Sequence, residues 1–103
     1  MYSEVIELIK KEYDTDETAE LIEIETSREV LAKMMSIGQK EFYQAMEHGL
    51  QPEIKFEISD YLDYQNEKEL IHGSTRYQVL RTYRKGLRSL EITCYGGVNI
   101  GNA

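Results

Sequence analysis

The side chains of this chain that could do chemistry are one cysteine, two histidines and a surplus of acids. Cys94 has no second cysteine to pair with. It falls on the apolar parity of Leu90-Glu91-Ile92-Thr93-Cys94, an alternating strand pattern, and reads as a small core residue. A cysteine nucleophile needs a base beside it, and His48 and His72 are both far from Cys94 in sequence. Neither histidine belongs to a His/Cys cluster with metal-ligand spacing. Asp14-Thr15-Asp16 matches the opening of a calcium loop, but the glycine and terminal glutamate that complete such a loop are missing. There is no phosphate-binding glycine loop and no Gly-x-Ser-x-Gly elbow. A carboxylate pair could still meet in space, although no spacing points to one. The expectation is a protein that is not an enzyme and needs no metal or cofactor.

The tyrosines and arginines suggest recognition instead. Most of the eight tyrosines suit the rim of a β core, with the ring packed and the hydroxyl in water. Tyrosine and arginine together are also favoured in protein interfaces. Tyr77, Arg81, Tyr83 and Arg84 share one short segment and are the candidates for a subunit or partner interface. The net charge of −7 argues against a general nucleic-acid binder, and its distribution is uneven. Residues 1–29 hold ten acids and three bases, whereas residues 76–88 hold five bases and no acid. A molecule with an acidic end and a basic segment suits head-to-tail association of identical subunits. The plainer reading is a solvated strand face with ordinary surface arginines.

Such residues must be held by strands. Ile54, Phe56 and Ile58 alternate with charged or polar residues over 53–60, the period-2 signature of a half-buried strand. Residues 21–34 alternate similarly, through Ile22, Ile24, Thr26, Val30, Ala32 and Met34, as one long bent strand or two shorter ones. Residues 68–71 lead into a turn at His72-Gly73. A strand rich in aromatic and β-branched residues follows over 76–84. Lys85-Gly86 breaks it, and Ser89 to Tyr95 forms the last strand of an antiparallel meander. Near the N-terminus, Val5, Ile6, Leu8 and Ile9 fit a helix or a strand. A strand is favoured because the polar turn at 14–17 would then close a hairpin. Between the two halves, Ser36-Ile37-Gly38-Gln39 resembles a capping box with Ser36 as the N-cap. Phe42, Ala45 and Met46 then share a helical face, Gly49 suits a left-handed stop, and Pro52 prevents resumption. One short crossing helix near residues 38–48 is expected.

The fold class is therefore mainly β: a small antiparallel β-barrel of about six strands with that one helix, since closure hides strand edges. A sandwich is the alternative. Hydrophobic residues make up 41% of the 103, enough for the core of one domain over 1–95. Residues 96–103 read as a flexible tail after Gly96-Gly97. No apolar run approaches the length of a membrane helix, so no membrane partner is expected. Met1-Tyr2-Ser3-Glu4 lacks a signal-peptide pattern, which reads as cytoplasmic.

Three ordered segments then carry a resemblance. The first runs from Ser36 to Ala45, with Glu41, Phe42 and Tyr43 at its centre. The second is Gly49-Leu50-Gln51-Pro52-Glu53-Ile54-Lys55-Phe56, followed by Asp60-Tyr61 and Asp63-Tyr64. The third runs from Gly73 to Tyr83. Together they resemble the phage head-tail joining family of head-closure, or stopper, proteins over roughly residues 28–95. Residues 1–20 match loosely, and their acidity departs from the family's often basic start.

The resemblance implies a barrel-like subunit that self-associates into a ring, twelvefold like the portal, below the portal and its adaptor ring. That ring retains packaged DNA through transient contact and docks a tail-completion or tail protein. The resemblance places the chain in the host cytoplasm during assembly and at the virion head-tail joint afterwards. It implies that residues 36–52 reach the channel, with Glu41, Phe42, Tyr43 and Glu47 as channel-facing candidates, and it brings no catalytic residues. An acidic lumen would let a duplex slide without holding it. The competing reading is a solitary small-barrel binding module for a peptide or nucleic acid.

Overall fold

The computed structural model describes residues 2–101. They form six strands: β1 (Glu4–Thr15), β2 (Leu21–Met35), β3 (Pro52–Ile58), β4 (Glu69–His72), β5 (Thr75–Lys85) and β6 (Ser89–Asn99). One helix, α1 (Gln39–Met46), joins β2 to β3, and a single 3₁₀ turn covers Tyr61–Asp63. The strands close into a barrel-like ring in the order β1-β2-β3-β6-β5-β4, every pairing antiparallel. The mainly β expectation with one short helix holds.

Register shows how the ring closes. Glu4 lies opposite Ala32, Ala32 opposite Ile58, Ile58 opposite Leu90, and Leu90 opposite Arg84. Completing the circuit requires stepping back along β5 to Gln78, which faces Glu69, which in turn faces Ile9. The walk does not return to its start, so the strands tilt, as closure of a small barrel demands.

The alternation in the sequence decides what fills the ring. Ile6, Leu8, Ala32, Phe56, Ile58, Leu70, Leu90, Ile92 and Cys94 form the buried cluster. Tyr61, Tyr64, Tyr77, Val30, Ile54 and Val79 pack around it, half-buried. Full burial of a side chain such as Phe56 contributes roughly 1.5–3 kcal/mol. Cys94 is fully buried here, and burial pushes its thiol up to about 12. Tyr64 is pushed up to about 12, chiefly by burial, and its hydroxyl donates to the Glu67 carbonyl at 2.6 Å.

Two strands outrun the wall. β1 and β2 pair without interruption from Glu4↔Ala32 to Thr15↔Leu21. Yet β4 covers β1 only over Ile6–Ile9, and β3 covers β2 only over Ala32–Met35. Residues 10–27 therefore leave the barrel as a two-stranded ribbon, exposed along its length and tied at its base by ion pairs from Lys11 to Glu69, at 3.1 Å, and from Glu25 to Arg76. Six residues of strand extend about 20 Å, matching the molecule's 50 × 30 × 30 Å extents. The ribbon turn begins at Asp16, two residues later than the sequence suggests, because β1 runs on through Asp14 and Thr15. The Asp16 carboxylate accepts from the Thr18 amide, the Thr18 hydroxyl and the Glu20 amide. This is a hairpin turn closed by one aspartate, which accounts for the calcium-like pair.

Residues 21–35 form one strand, the first of the two alternatives. Two sequence expectations change. Gly38, extended at φ −69° and ψ 148°, occupies the N-cap of α1 in place of Ser36, and no side chain caps the helix. The expected flexible tail is instead strand. β6 continues through Gly96 and Gly97 to Asn99, with Arg76↔Val98 and Thr75↔Asn99 in register. The Ile100 amide donates to the Ser74 carbonyl at 2.7 Å. Glycine is what permits this. A Cβ on Gly97 would sit 2.8 Å from Tyr77 Cε1, and the Gly97 amide donates to Glu53 at 2.9 Å. The rest of that expected tail, residues 102–103, lies outside the described residues.

Candidate interaction surface

The inward row of β3 and β6 is apolar, so the outward row carries the polar residues. Lys55 lies opposite Thr93, and Thr93 opposite Arg81, making one line across β3, β6 and β5. Helix α1 lies over this line and is fastened by one carboxylate. Glu41 accepts from Lys55 Nζ at 3.1 Å, from Arg81 Nη2 at 2.6 Å and from the Thr93 hydroxyl at 3.2 Å. Burial raises the Glu41 pKa, but hydrogen bonds from Arg81 and Lys55 outweigh it and hold the carboxyl below its ordinary range. Lys55 also reaches Glu91 at 3.5 Å. The helix buries none of its own residues completely. It is a strap on the outer wall, not part of the core.

The two groups of sequence candidates therefore meet. Arg81 was expected at an interface and Glu41 in a channel; in the folded chain they are each other's partners. Glu41 thus brings no free negative charge to a channel. Phe42 is half-buried, and Tyr43 packs edge-on against it with ring centroids 6.0 Å apart. Tyr43 is itself 60% exposed. Glu47 closes the C-terminal end of α1 and is exposed. The helix end and β5 frame a groove of about 400 Å³ lined by Gln44, Ala45, His48, Leu50 and Leu80, among others.

Farther along β5 the candidates separate. Tyr77 packs against the core beside Gly97 and is not a free contact residue. Tyr83 is 65% exposed. Arg84 stacks on the Tyr61 ring at 3.7 Å and donates to the Leu87 carbonyl at 3.1 Å. The β5–β6 turn adds Lys85, Arg88 and the bare Leu87, with Leu62 of the neighbouring 3₁₀ turn also exposed. The Arg88 carbonyl accepts from the Tyr61 amide, and its side chain bonds Asp60 at 2.9 Å, which binds the two turns together.

Sequence reasoning missed the ribbon. Its stretch from 12 to 25 holds seven acids and no base, and it exposes Tyr13, Leu21, Ile22 and Ile24. The density of acids was visible in the sequence. That nothing covers the alternating isoleucines was not.

Among the described residues, no group of three or more His, Cys, Asp or Glu side chains is placed to hold a metal. No helix among them is long and apolar enough to cross a membrane. His72 lies 2.8 Å from Glu4 and 5.0 Å from the Phe56 ring, on the barrel wall. No family model matches the chain, and no curated protein matches it.

Proposed function

We propose that this chain is a structural head-closure or head-tail connector subunit of a long-tailed phage or prophage. It works as one member of a ring below the portal that retains packaged DNA and docks the tail. The observation that carries the reading is the ribbon. A closed, well-filled barrel extends one acidic arm and presents, elsewhere on its wall, a basic turn with Arg84, Lys85 and Arg88. An arm that leaves a core too small to need it is built for neighbours, since ordering exposed strand has no benefit to the barrel itself. The ordered motif segments support the same reading, because they coincide with α1, β3 and β5.

In this reading the barrel supplies rigidity, the ribbon and the basic turn supply subunit contacts, and α1 faces the channel. Because Glu41 is neutralised by Lys55 and Arg81, Glu47 is left to carry the repulsion that keeps DNA sliding freely. The portal's symmetry sets the ring at twelve, with the adaptor ring above and a tail protein below. Deleting the reading frame from an inducible prophage should give filled heads that lose DNA, with tails unattached, as seen by electron microscopy. Particles that keep their genomes and join tails normally would end the proposal.

A second reading draws on the groove between α1 and β5. Its mixed lining suits a short peptide, which would make the chain a solitary binding module. The same deletion separates the two, because a solitary module is not needed for heads to hold DNA.

A further inference from the structure

Natural sheets protect an unpaired edge with lysine, proline or a bulge, since bare strand edges invite other strands. The outer edge of β2 over residues 21–27, Leu-Ile-Glu-Ile-Glu-Thr-Ser, has none of these. It pairs with β1 on one side in unbroken register, and no described strand lies on the other, since β2 first meets β3 at Ala32. A second bare edge exists in the same molecule. β4 leaves β5 at Gln78, with one last bond from the Val79 amide to the Lys68 carbonyl at 2.8 Å. Beyond it, residues 81–85 are all exposed, and their backbone pairs with β6 alone. These residues are Arg-Thr-Tyr-Arg-Lys. One edge is acidic and apolar, and the other is basic and aromatic.

We infer that the β2 edge of one copy adds to the β5 edge of the next, forming a sheet continuous between subunits. The occupant is a second copy because this chain carries both halves of the match. The five-residue edge fits along the seven-residue one. Acids stand on one and bases on the other, with Glu25 and Arg81 also holding partners in their own subunit. The exposed Ile22 and Ile24 gain an aromatic neighbour in Tyr83. Two copies of the β2 edge would set Glu23 and Glu25 against each other, which disfavours a two-fold ribbon dimer. Joining unlike surfaces is a heterologous contact, which closes into a ring or runs on as a filament. The inference rests on the ring reading only for closure; the edge match itself stands without it.

The test mixes two chains that each gain one surface cysteine, Ile24→Cys and Tyr83→Cys, at high protein concentration with a short bifunctional thiol cross-linker. Native Cys94 is buried and stays silent. Both sites lie outside the core, so circular dichroism should show unchanged folding. The expected product is a cross-linked dimer containing one chain of each kind. Adding Glu23→Lys to the Ile24→Cys chain should lower its yield by about tenfold. Absence of the mixed dimer, or an Ile24→Cys homodimer in its place, would overturn the edge match. Capsids that bind the chain at the portal while the cross-link never forms would leave the ring reading standing and the edge match refuted. A robust cross-link without portal binding would do the reverse.

Discussion

Arg81 on β5 and Glu41 on α1 lie 2.6 Å apart, so a residue suited to a partner's carboxylate already holds one within its own subunit. Reversing Arg81 to glutamate therefore sets two acids together before any neighbour is considered. The expected cost to the isolated chain is about 1 kcal/mol, because the arginine is half exposed and solvent screens the pair. Urea titration should show that cost fall toward zero in a Glu41→Gln background. An assembly defect of Arg81→Glu that persists in that background reports contact with another subunit. One that vanishes there reports only a displaced helix.

Acid should loosen the outer wall. Glu57 is held below its ordinary 4.5, first by the Tyr2 hydroxyl bond, against opposing burial, and then by Lys85. Glu69 is held down by Arg76, against opposing burial, and by Lys11. For Glu41, burial works upward, but the bonds from Arg81 and Lys55 win. All three have folded values below the unfolded one, so their stabilisation is complete above the unfolded value. It disappears as pH falls through the folded values. Tm should stay level near neutrality and drop below about pH 4.5. Glu57→Gln should flatten that drop, and an equal drop in the variant would contradict the assignment.

Cys94 should be chemically silent while the chain is folded. Its thiol is buried and pushed up to about 12, so almost no thiolate exists at neutral pH. A thiol reagent should label the native protein far more slowly than the unfolded one, with one equivalent released in denaturant. Fast labelling of the native state would reopen the cysteine as a nucleophile. Cys94→Ser should cost about 1–3 kcal/mol, the penalty for a buried hydroxyl without a partner.

Removing residues 96–103 should damage the barrel. Within them, the end of β6 through Asn99 holds Thr75 and Arg76 in register. Gly97→Ala is the sharper probe, because the added methyl meets Tyr77 and the Glu53 carboxylate at under 3 Å. A loss of about 1–3 kcal/mol is expected, typical of overpacking. An unchanged denaturation midpoint would mean that the end of β6 contributes nothing to stability.

Amide exchange should grade the molecule along its strands. Ribbon amides beyond Lys10 have one strand partner and no core beneath them. They should exchange much faster than those of Phe56 or Ile92, which open only with global unfolding. Equal protection in both regions would imply that the ribbon is already covered by another copy.

The sequence was most legible where burial is local. Ile54, Phe56 and Ile58 alternate and all face inward, as their spacing required. Ile22 and Ile24 alternate just as cleanly, yet both are exposed, because period 2 defines a face without saying what covers it. Tyr77 and Tyr83 were read alike, but register shifts at Arg76/Gln78 and Val79/Arg81 and the close approach of Gly97 separate them. The link between the candidates on α1 and those on β5 was not legible, since a contact between residues forty apart leaves no local pattern. The tail was misread for a similar reason. Two glycines usually signal freedom, and here they make room for a tyrosine ring.

Helix α1 rests outside the filled barrel and contributes no fully buried residue to it. Folding and identity are therefore housed in different places. Segment 36–51 is a cassette between two fixed anchor points, open to lengthening or wholesale exchange while the six-stranded frame folds as before. Whatever this segment touches, descendants of the chain could acquire a new target by rewriting some sixteen codons and leaving the scaffold alone.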